Sequence, residues 1–124
     1  MSKIIVFVLL FISYCTYSIF VFTNGTKPGV SLAGGELALA DKGKKMFQQY
    51  NCISCHQLYG LGGYLGPELT TAYSDRGRGE LYMKTFLKAG GRRMPNFHFT
   101  DEEVAALVCY LKYVDATAVT YKRQ

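Results

Sequence analysis

The stretch Cys52-Ile53-Ser54-Cys55-His56 sets two thiols three positions apart and follows them directly with an imidazole. This C-x-x-C-H spacing is typical of covalent haem attachment. Each thiol adds across a vinyl group at one edge of the porphyrin, and the adjacent histidine turns its ring under the iron as the proximal ligand. The motif therefore predicts one covalent haem c, held by Cys52, Cys55 and His56.

Two other uses of a C-x-x-C pair compete with this interpretation. A thioredoxin-like redox pair requires a β-α-β setting, and no such pattern surrounds the motif. A structural zinc requires a fourth ligand, and His98 and Cys109 are too far along the chain to be obvious partners. Haem is the favoured interpretation. Its attachment takes place outside the cytoplasm, so the motif also predicts the side of the membrane on which this part of the chain lies.

A histidine-ligated haem has either a sixth ligand or an open position. The candidates for a sixth ligand are Met46, Met83, Met94 and His98. Met46 and Met83 fall inside expected helices, where methionine commonly fills the core. Met94 falls in an expected loop, from which its thioether can reach the far face of the haem. We therefore predict His/Met ligation by His56 and Met94, with His98 as the competitor. A thioether favours ferrous iron, raises the potential and closes the iron to substrates, which suits an electron carrier.

Supporting groups can be named around this pair. Pro67 falls where its backbone carbonyl can accept the Nδ1–H of His56 and so fix the tautomer of the ring. Its alternative role is that of a turn residue. Arginines that can pair with haem propionates are Arg76, Arg78, Arg92 and Arg93, of which Arg76 and Arg93 are selected as haem-binding residues. Each of them can equally be a solvated surface residue.

Helical patterns lie on both sides of the motif. From Leu37 to Tyr50, apolar or small residues recur on one face, which predicts an amphipathic helix that leads into the cysteine pair. The pair Gly34-Gly35 is interpreted as a break before it. Residues 57–79 contain six glycines and are expected to be mostly loop, and no strand pattern is visible. A short helix is expected from Glu80 to Lys88.

The last helix has the clearest start signal. Thr100 is a good N-cap, and Glu103 three residues later completes a capping box. The acids that follow Thr100 favour the positive end of the helix dipole. The apolar stripe consists of Val104, Leu107, Val108, Leu111 and Val114. Cys109, on the same helix, is expected to be a small core residue.

The N-terminal segment Ile4–Phe22 contains no charged residue, Pro or Gly. Its nineteen residues span roughly 28 Å as a helix, which is close to the hydrocarbon thickness of a bilayer. We expect an uncleaved membrane anchor, because the apolar run exceeds the usual core of a signal peptide and no clear cleavage site follows. Hydroxyl residues near its centre, such as Ser13 and Thr16, favour a neighbouring helix or bond back to their own backbone.

The chain has 124 residues and a net charge of +5, with acids and bases interleaved. No block of like charges is present, which argues against a nucleic-acid partner. About a hundred residues remain beyond the anchor, enough for one modest core. We expect an anchor over residues 1–23, a linker over residues 24–36 and a haem domain over residues 37–124.

The chain resembles a class I cytochrome c from about Asp41 to Val114. Gly43 and Phe47 are similar to first-helix residues of that family, which pack against the last helix, here near Tyr110 and Leu111. The order Cys52 to His56, Gly66-Pro67 and Met94-Pro95 is also similar. The resemblance implies an all-α fold, a class I cytochrome c domain behind a single N-terminal transmembrane helix.

A narrower resemblance is to the cytochrome c subunit of bacterial nitric oxide reductases. It is carried by Lys42-Gly43-Lys44, Gly63-Tyr64, Pro67-Glu68-Leu69-Thr70, Tyr73, Arg76-Gly77 and Arg93-Met94-Pro95. It implies an inner-membrane protein with a periplasmic haem domain docked on a large haem–copper-type subunit. Electrons would enter from a small soluble periplasmic donor and pass to haem b in the partner. By this resemblance the chain has no catalytic residues of its own.

Other functions remain open at this point. The chain can be a free-standing anchored cytochrome that shuttles electrons between respiratory complexes, or the c subunit of an oxygen reductase. A haem-based sensor is a third class, and it requires an open or labile sixth position.

Overall fold

The computed structural model describes residues 2–25 and 32–118. Its elements there are α1 (Ser2–Gly25), α2 (Gly34–Gln49), a 3-10 helix (Cys52–Ser54), β1 (Gln57–Leu58), β2 (Leu61–Gly62), α3 (Gly79–Ala89) and α4 (Asp101–Thr117). The predicted all-α fold is confirmed. The expected linker (24–36) includes residues 26–31, and the expected haem domain ends with residues 119–124; both stretches lie outside the described residues.

The prediction of no strands is wrong at one short hairpin. β1 and β2 pair antiparallel, with Leu58 opposite Leu61. The two residues between them, Tyr59 and Gly60, have φ of 53° and 76°. Positive φ at both central residues is the signature of the tight turn whose twist suits a hairpin. Strands of two residues are too short to produce an alternating pattern in the sequence.

Helix α1 is apolar along nearly its whole length. By length and composition the segment Lys3–Gly25 can cross a membrane, as a signal sequence can. None of its apolar window is buried by the described part of the chain. Thr16 donates its hydroxyl to the carbonyl of Ile12 at 2.8 Å. This hydroxyl is therefore satisfied within its own helix.

Helix α2 begins earlier than the pattern indicates. Gly34 and Gly35 form its first turn and are not a break before it. A glycine costs little there, because the first N–H groups of a helix have no partner within the helix in any case. Glu36 adds a favourable negative charge at this end, and its carboxylate contacts Lys112 of α4 at 2.8 Å. This long-range ion pair is invisible to a local pattern.

The core is built where α2 crosses α4. A Cβ added at Gly43 would lie 2.0 Å from the carbonyl oxygen of Ala106, so only glycine permits this approach. One turn further, the rings of Phe47 and Tyr110 lie 5.5 Å apart. The predicted packing of Gly43 and Phe47 against the last helix is confirmed. All five stripe residues of α4 are buried, and Cys109 is buried beside them.

The start of α4 follows the predicted capping box. The Thr100 hydroxyl accepts a hydrogen bond from the Glu103 backbone N–H at 3.3 Å, and the Glu103 carboxylate accepts one from the Thr100 N–H at 2.8 Å. Lys88, at the end of α3, contacts Asp101 at 2.6 Å and donates to the carbonyl of Phe99 at 3.1 Å. The loop between α3 and α4 is therefore tied at both of its ends.

Candidate haem-binding cavity

The C-x-x-C-H segment forms one tight turn directly after α2. Asn51 precedes it with a φ of 52°, a left-handed conformation that asparagine tolerates better than most residues. The backbone N–H groups of Cys55 and His56 both donate to the carbonyl of Cys52, at 3.2 and 2.9 Å. The turn brings both cysteines and the histidine to the wall of one cavity.

This cavity has a volume of about 390 Å³. Cofactor and small-molecule sites typically measure roughly 300–1,000 Å³ and are mostly apolar. Its apolar wall is contributed by α3, by the loops on either side of α3 and by α4, for example through Met83, Phe86, Leu69, Phe97 and Leu111. The size and lining suit a flat apolar cofactor that is approached by a few polar groups.

His56 has a fixed orientation at the cavity. Its Nδ1 lies 2.8 Å from the backbone carbonyl oxygen of Pro67. A carbonyl oxygen can only accept, so Nδ1 carries the proton and Nε2 keeps its lone pair. The predicted hydrogen bond to Pro67 is confirmed. The imidazole is thereby left with one free nitrogen, which is the form that ligates a metal.

Glycines hold the next segment against this turn. A Cβ added at Gly66 would lie 2.5 Å from Cε1 and 2.6 Å from Nδ1 of His56. One added at Gly63 would lie 1.9 Å from the carbonyl oxygen of Ser54, and one at Gly62 would lie 2.2 Å from that of His56. The backbone N–H of Gly66 donates to the carbonyl of Cys55 at 2.7 Å. Residues 62–66 therefore form a close backing for the imidazole.

A buried threonine fastens this backing to the rest of the domain. Thr70 is fully buried, and its hydroxyl accepts from the backbone N–H of Tyr59 at 2.6 Å. The carboxylate of Glu68 accepts hydrogen bonds from both the N–H and the hydroxyl of Thr70. The Tyr59 hydroxyl reaches Thr117 at the end of α4, at 2.7 Å. Sequence reasoning assigned no role to these residues, and only the left-handed backbone needed before Gly60 hinted at the turn.

Met94 lies on the wall of the same cavity as His56. Its loop is closed by a hydrogen bond from the Gly91 N–H to the Met94 carbonyl, at 2.8 Å. Gly90 has a φ of 72°, and a Cβ there would lie 2.9 Å from that same carbonyl. The loop therefore has a defined conformation that presents Met94 to the cavity.

The competing ligands occupy different positions. His98 is exposed and is not among the residues that line the cavity. Met46 belongs to the buried core between the helices. Met83 is buried as expected, but it lines the cavity as well as filling the core. Of the three alternatives to Met94, only Met83 faces the cavity.

The arginines also divide. Arg93, Arg92 and Arg78 line the cavity, whereas Arg76 is exposed and does not. Arg78 is held in place, since it contacts the Asp75 carboxylate at 2.8 Å and donates to the Glu68 carbonyl at 2.7 Å. A hydrogen bond from the Gly77 N–H and the Arg78 side chain lower the pKa of Asp75. A fixed cation therefore stands at the cavity.

The two cysteines of the motif are free thiols. Burial raises the pKa of the Cys52 thiol to about 11, so this sulfur is neutral near pH 7. Within residues 2–25 and 32–118, no group of three or more His, Cys, Asp or Glu side chains could hold a metal ion. The zinc alternative therefore gains no support. Two thiols, one imidazole with a free nitrogen and a thioether around an apolar cavity fit a covalently attached haem.

Comparison with known proteins agrees with this chemistry. Residues 38–111 match the model of a protein family described as cytochrome c oxidase, cbb3-type, subunit III. The chain belongs to this family of c-type cytochromes. Membership implies covalent haem c, and the matched residues include both cysteines, the histidine and Met94 of this cytochrome.

Curated relatives of the cytochrome are named as the C subunit of nitric oxide reductase. The one from Stutzerimonas stutzeri is 37% identical over 82 residues, which cover 58% of this chain and 56% of the relative. The one from Halomonas halodenitrificans is 28% identical over 121 residues, which cover 88% of this chain and 78% of the relative. The one from Paracoccus denitrificans is 33% identical over 82 residues, covering 56% and 55%. The cytochrome thus spans little more than half the length of two of these relatives.

Proposed function

We propose that this cytochrome is the electron-transfer subunit of a membrane-bound nitric oxide reductase-type complex. It carries one haem c, attached through Cys52 and Cys55 and ligated by His56 and Met94. The observation that carries the proposal is that these four side chains share one apolar cavity, in which His56 keeps Nε2 free.

The residues of the chain have separate tasks in this proposal. Bound haem c supplies one-electron chemistry. His56 holds the iron on one face through Nε2, and Pro67 keeps the ring in the required tautomer. Met94 occupies the other face with a soft thioether, which favours the reduced iron. With both axial positions filled, no site is left for a substrate, so the cytochrome carries electrons and performs no catalysis.

Cations at the cavity have a role toward the two carboxylates of a haem. A guanidinium forms paired, charge-assisted hydrogen bonds with a carboxylate. Arg93 is proposed as a propionate partner, with the fixed Arg78 beside it. Arg76 lies beyond the cavity lining, so it is retained only as a candidate for a propionate that reaches the surface.

The proposal includes a membrane location. Residues 1–23 anchor the protein, residues 24–36 link the anchor to the haem domain, and residues 37–124 form that domain. The haem domain lies on the periplasmic side of the bacterial inner membrane, because covalent haem attachment takes place outside the cytoplasm. Support comes from the apolar helix α1, whose length and composition suit a membrane span.

Two partners are proposed for this subunit. A soluble periplasmic protein delivers electrons, and a large haem–copper-type membrane subunit accepts them at haem b. The reduction of nitric oxide then takes place in that large subunit. The names of the curated relatives support this assignment.

A second candidate function is the c subunit of an oxygen reductase. It is favoured by the description of the matched family, which names a cbb3-type cytochrome c oxidase. The role of this chain as an electron carrier is the same in both cases. The two differ only in the terminal acceptor, so a comparison of NO and O₂ consumption separates them.

The test is a dithionite-reduced minus oxidised spectrum of the C-terminally tagged chain, purified from its own membranes in mild detergent. We expect c-type and b-type haem bands in fixed proportion, followed by NO consumption in the same preparation. Haem c alone would support a free-standing shuttle in place of the complex. Absence of a c-type band would refute the proposal entirely.

A further inference from the structure

An uncharged stretch surrounds the haem-attachment motif. No Asp, Glu, Lys or Arg occurs from Met46 to Pro67, in a chain that is 19% charged. Large apolar side chains of this stretch are nevertheless exposed. We call them the hairpin patch: Ile53 (38% exposed), Leu61 (73%), Tyr64 (87%) and Leu65 (54%). Single exposed apolar residues are normal, but a charge-free group of them marks an interaction surface.

The hairpin patch is one continuous and rigid surface. The backbone N–H of Gly63 donates to the carbonyl of Ile53 at 2.9 Å, which joins the 3-10 turn to the segment after β2. Gly62 and Gly63 lie so close to the turn that neither has room for a Cβ. Because the backbone is pressed inward, Tyr64 and Leu65 stand outward between Gly63 and Gly66. No ordering of the loop is therefore required before a partner binds.

The patch also reaches the edge of the haem-binding cavity. Leu65 is exposed and at the same time lines that cavity together with His56. A protein seated on the patch would therefore approach the side of the cavity on which the imidazole lies. This position suits a surface across which electrons leave the cytochrome.

The chemistry of the patch distinguishes among possible occupants. Transient redox partners rely on complementary charge to steer their encounter, and this stretch has no charge to offer. Surfaces that lie on anionic lipid combine apolar side chains with Lys or Arg, which are also missing here. Permanent protein interfaces are apolar and depleted in charge at their centre. The patch fits a permanent protein partner.

The chain connection places that partner in the same membrane. Eight residues separate the last residue of α1, Gly25, from the first residue of α2, Gly34. Fully extended, such a connection spans at most about 30 Å. With α1 as an anchor, the haem domain stays close to the membrane surface, within reach of the exposed part of a neighbouring membrane protein.

We propose that the hairpin patch is the surface by which this cytochrome binds its large membrane subunit. This inference rests on the proposed function and adds the contact surface to it. The soluble donor then approaches the cytochrome elsewhere, since the patch is covered in the complex.

The first test compares two variants of the full-length tagged chain in its own membranes. The double variant Leu61→Ser/Tyr64→Ser removes exposed apolar side chains from the patch. Leu81→Ser is the matched control, because Leu81 is 79% exposed on α3 and lies outside the patch. We expect the ratio of haem b to haem c after purification to fall about tenfold in the double variant, as for loss of central interface residues. The control is expected to keep the wild-type ratio, and both variants are expected to keep their haem c spectrum.

A second measurement identifies the occupant directly. A photoactivatable phenylalanine analogue in place of Tyr64 is expected to crosslink to the haem b-containing subunit. Adducts only with phospholipid or with a second copy of this chain would overturn the inference, as would an undiminished haem b ratio in the double variant. If the wild-type preparation itself lacked haem b, the proposed function would fail, and the inference would fail with it.

Discussion

The substitution Gly66→Ala tests the backing of the imidazole most directly. The new methyl group would lie 2.5 Å from Cε1 of His56, whereas ordinary contacts begin near 3.4 Å. The ring can clear it only by leaving the position at which Nδ1 meets the Pro67 carbonyl. Loss of that hydrogen bond costs about 1 kcal/mol, and overpacking costs about 1–3 kcal/mol. We expect the free energy of unfolding to fall by about 2–4 kcal/mol.

The assay is thermal unfolding of the purified haem-loaded chain, followed by circular dichroism. A domain of this size loses about 4–8 °C in Tm for each kcal/mol, so a decrease of roughly 8 °C or more is expected. A displaced imidazole is also a weaker ligand, so the reduced variant should bind carbon monoxide more readily than the wild type.

The matched control is Gly35→Ala in the first turn of α2. A Cβ added at Gly35 has no heavy atom within 4 Å, so this change should leave stability unchanged or raise it by up to about 1 kcal/mol. A Gly66→Ala protein with wild-type Tm and carbon monoxide binding would show that the imidazole does not lie against residue 66. The reasoning about the whole backing segment would then be wrong.

Three further predictions concern other parts of the fold. Met94→Ala should abolish the long-wavelength thioether-to-iron band and permit carbon monoxide binding, while Met46→Leu, a core change away from the cavity, should keep the band; an unchanged band in Met94→Ala would exclude it as the ligand. Thr100→Ala should lower the free energy of unfolding by about 1 kcal/mol through loss of the α4 cap, with an unchanged absorption spectrum, and equal denaturant midpoints would contradict this. The hydrogen bond from Lys88 lowers the pKa of Asp101 below its usual 3.8, so Asp101→Asn should be less stable than the wild type near pH 7. That difference should close as the pH falls through the lowered pKa, because the protonated wild-type carboxyl no longer attracts Lys88; a difference that persists at lower pH would contradict the ion pair.

Local signals predicted the helices well because their causes are local. The capping box at Thr100 needs only residues three positions apart, and the stripe of α4 repeats at helical spacing. The C-x-x-C-H motif indicated its cofactor for the same reason, since its chemistry depends on adjacent side chains. The Pro67 hydrogen bond was also predicted, although it joins residues eleven positions apart, because the position of that proline after the motif suggested it.

Long-range contacts account for what the pattern missed. The start of α2 is set partly by the contact of Glu36 with Lys112, and the hairpin is held by Tyr59 reaching Thr117. Neither pair has a spacing that a periodic pattern can register. Among the arginines, sequence position alone does not separate exposed Arg76 from Arg78, which the backbone turns toward the cavity.

The glycines behind the imidazole also limit how this segment can change through mutation. At positions 62, 63 and 66, any side chain would meet a backbone carbonyl or the ring at 1.9 to 2.5 Å. In a saturation mutagenesis library, these three positions should therefore accept almost no substitution. The two residues between them, Tyr64 and Leu65, are exposed, so the fold itself should accept many replacements there. Selection for folding alone and selection for assembly should thus give different tolerance at two neighbouring positions within a stretch of five residues.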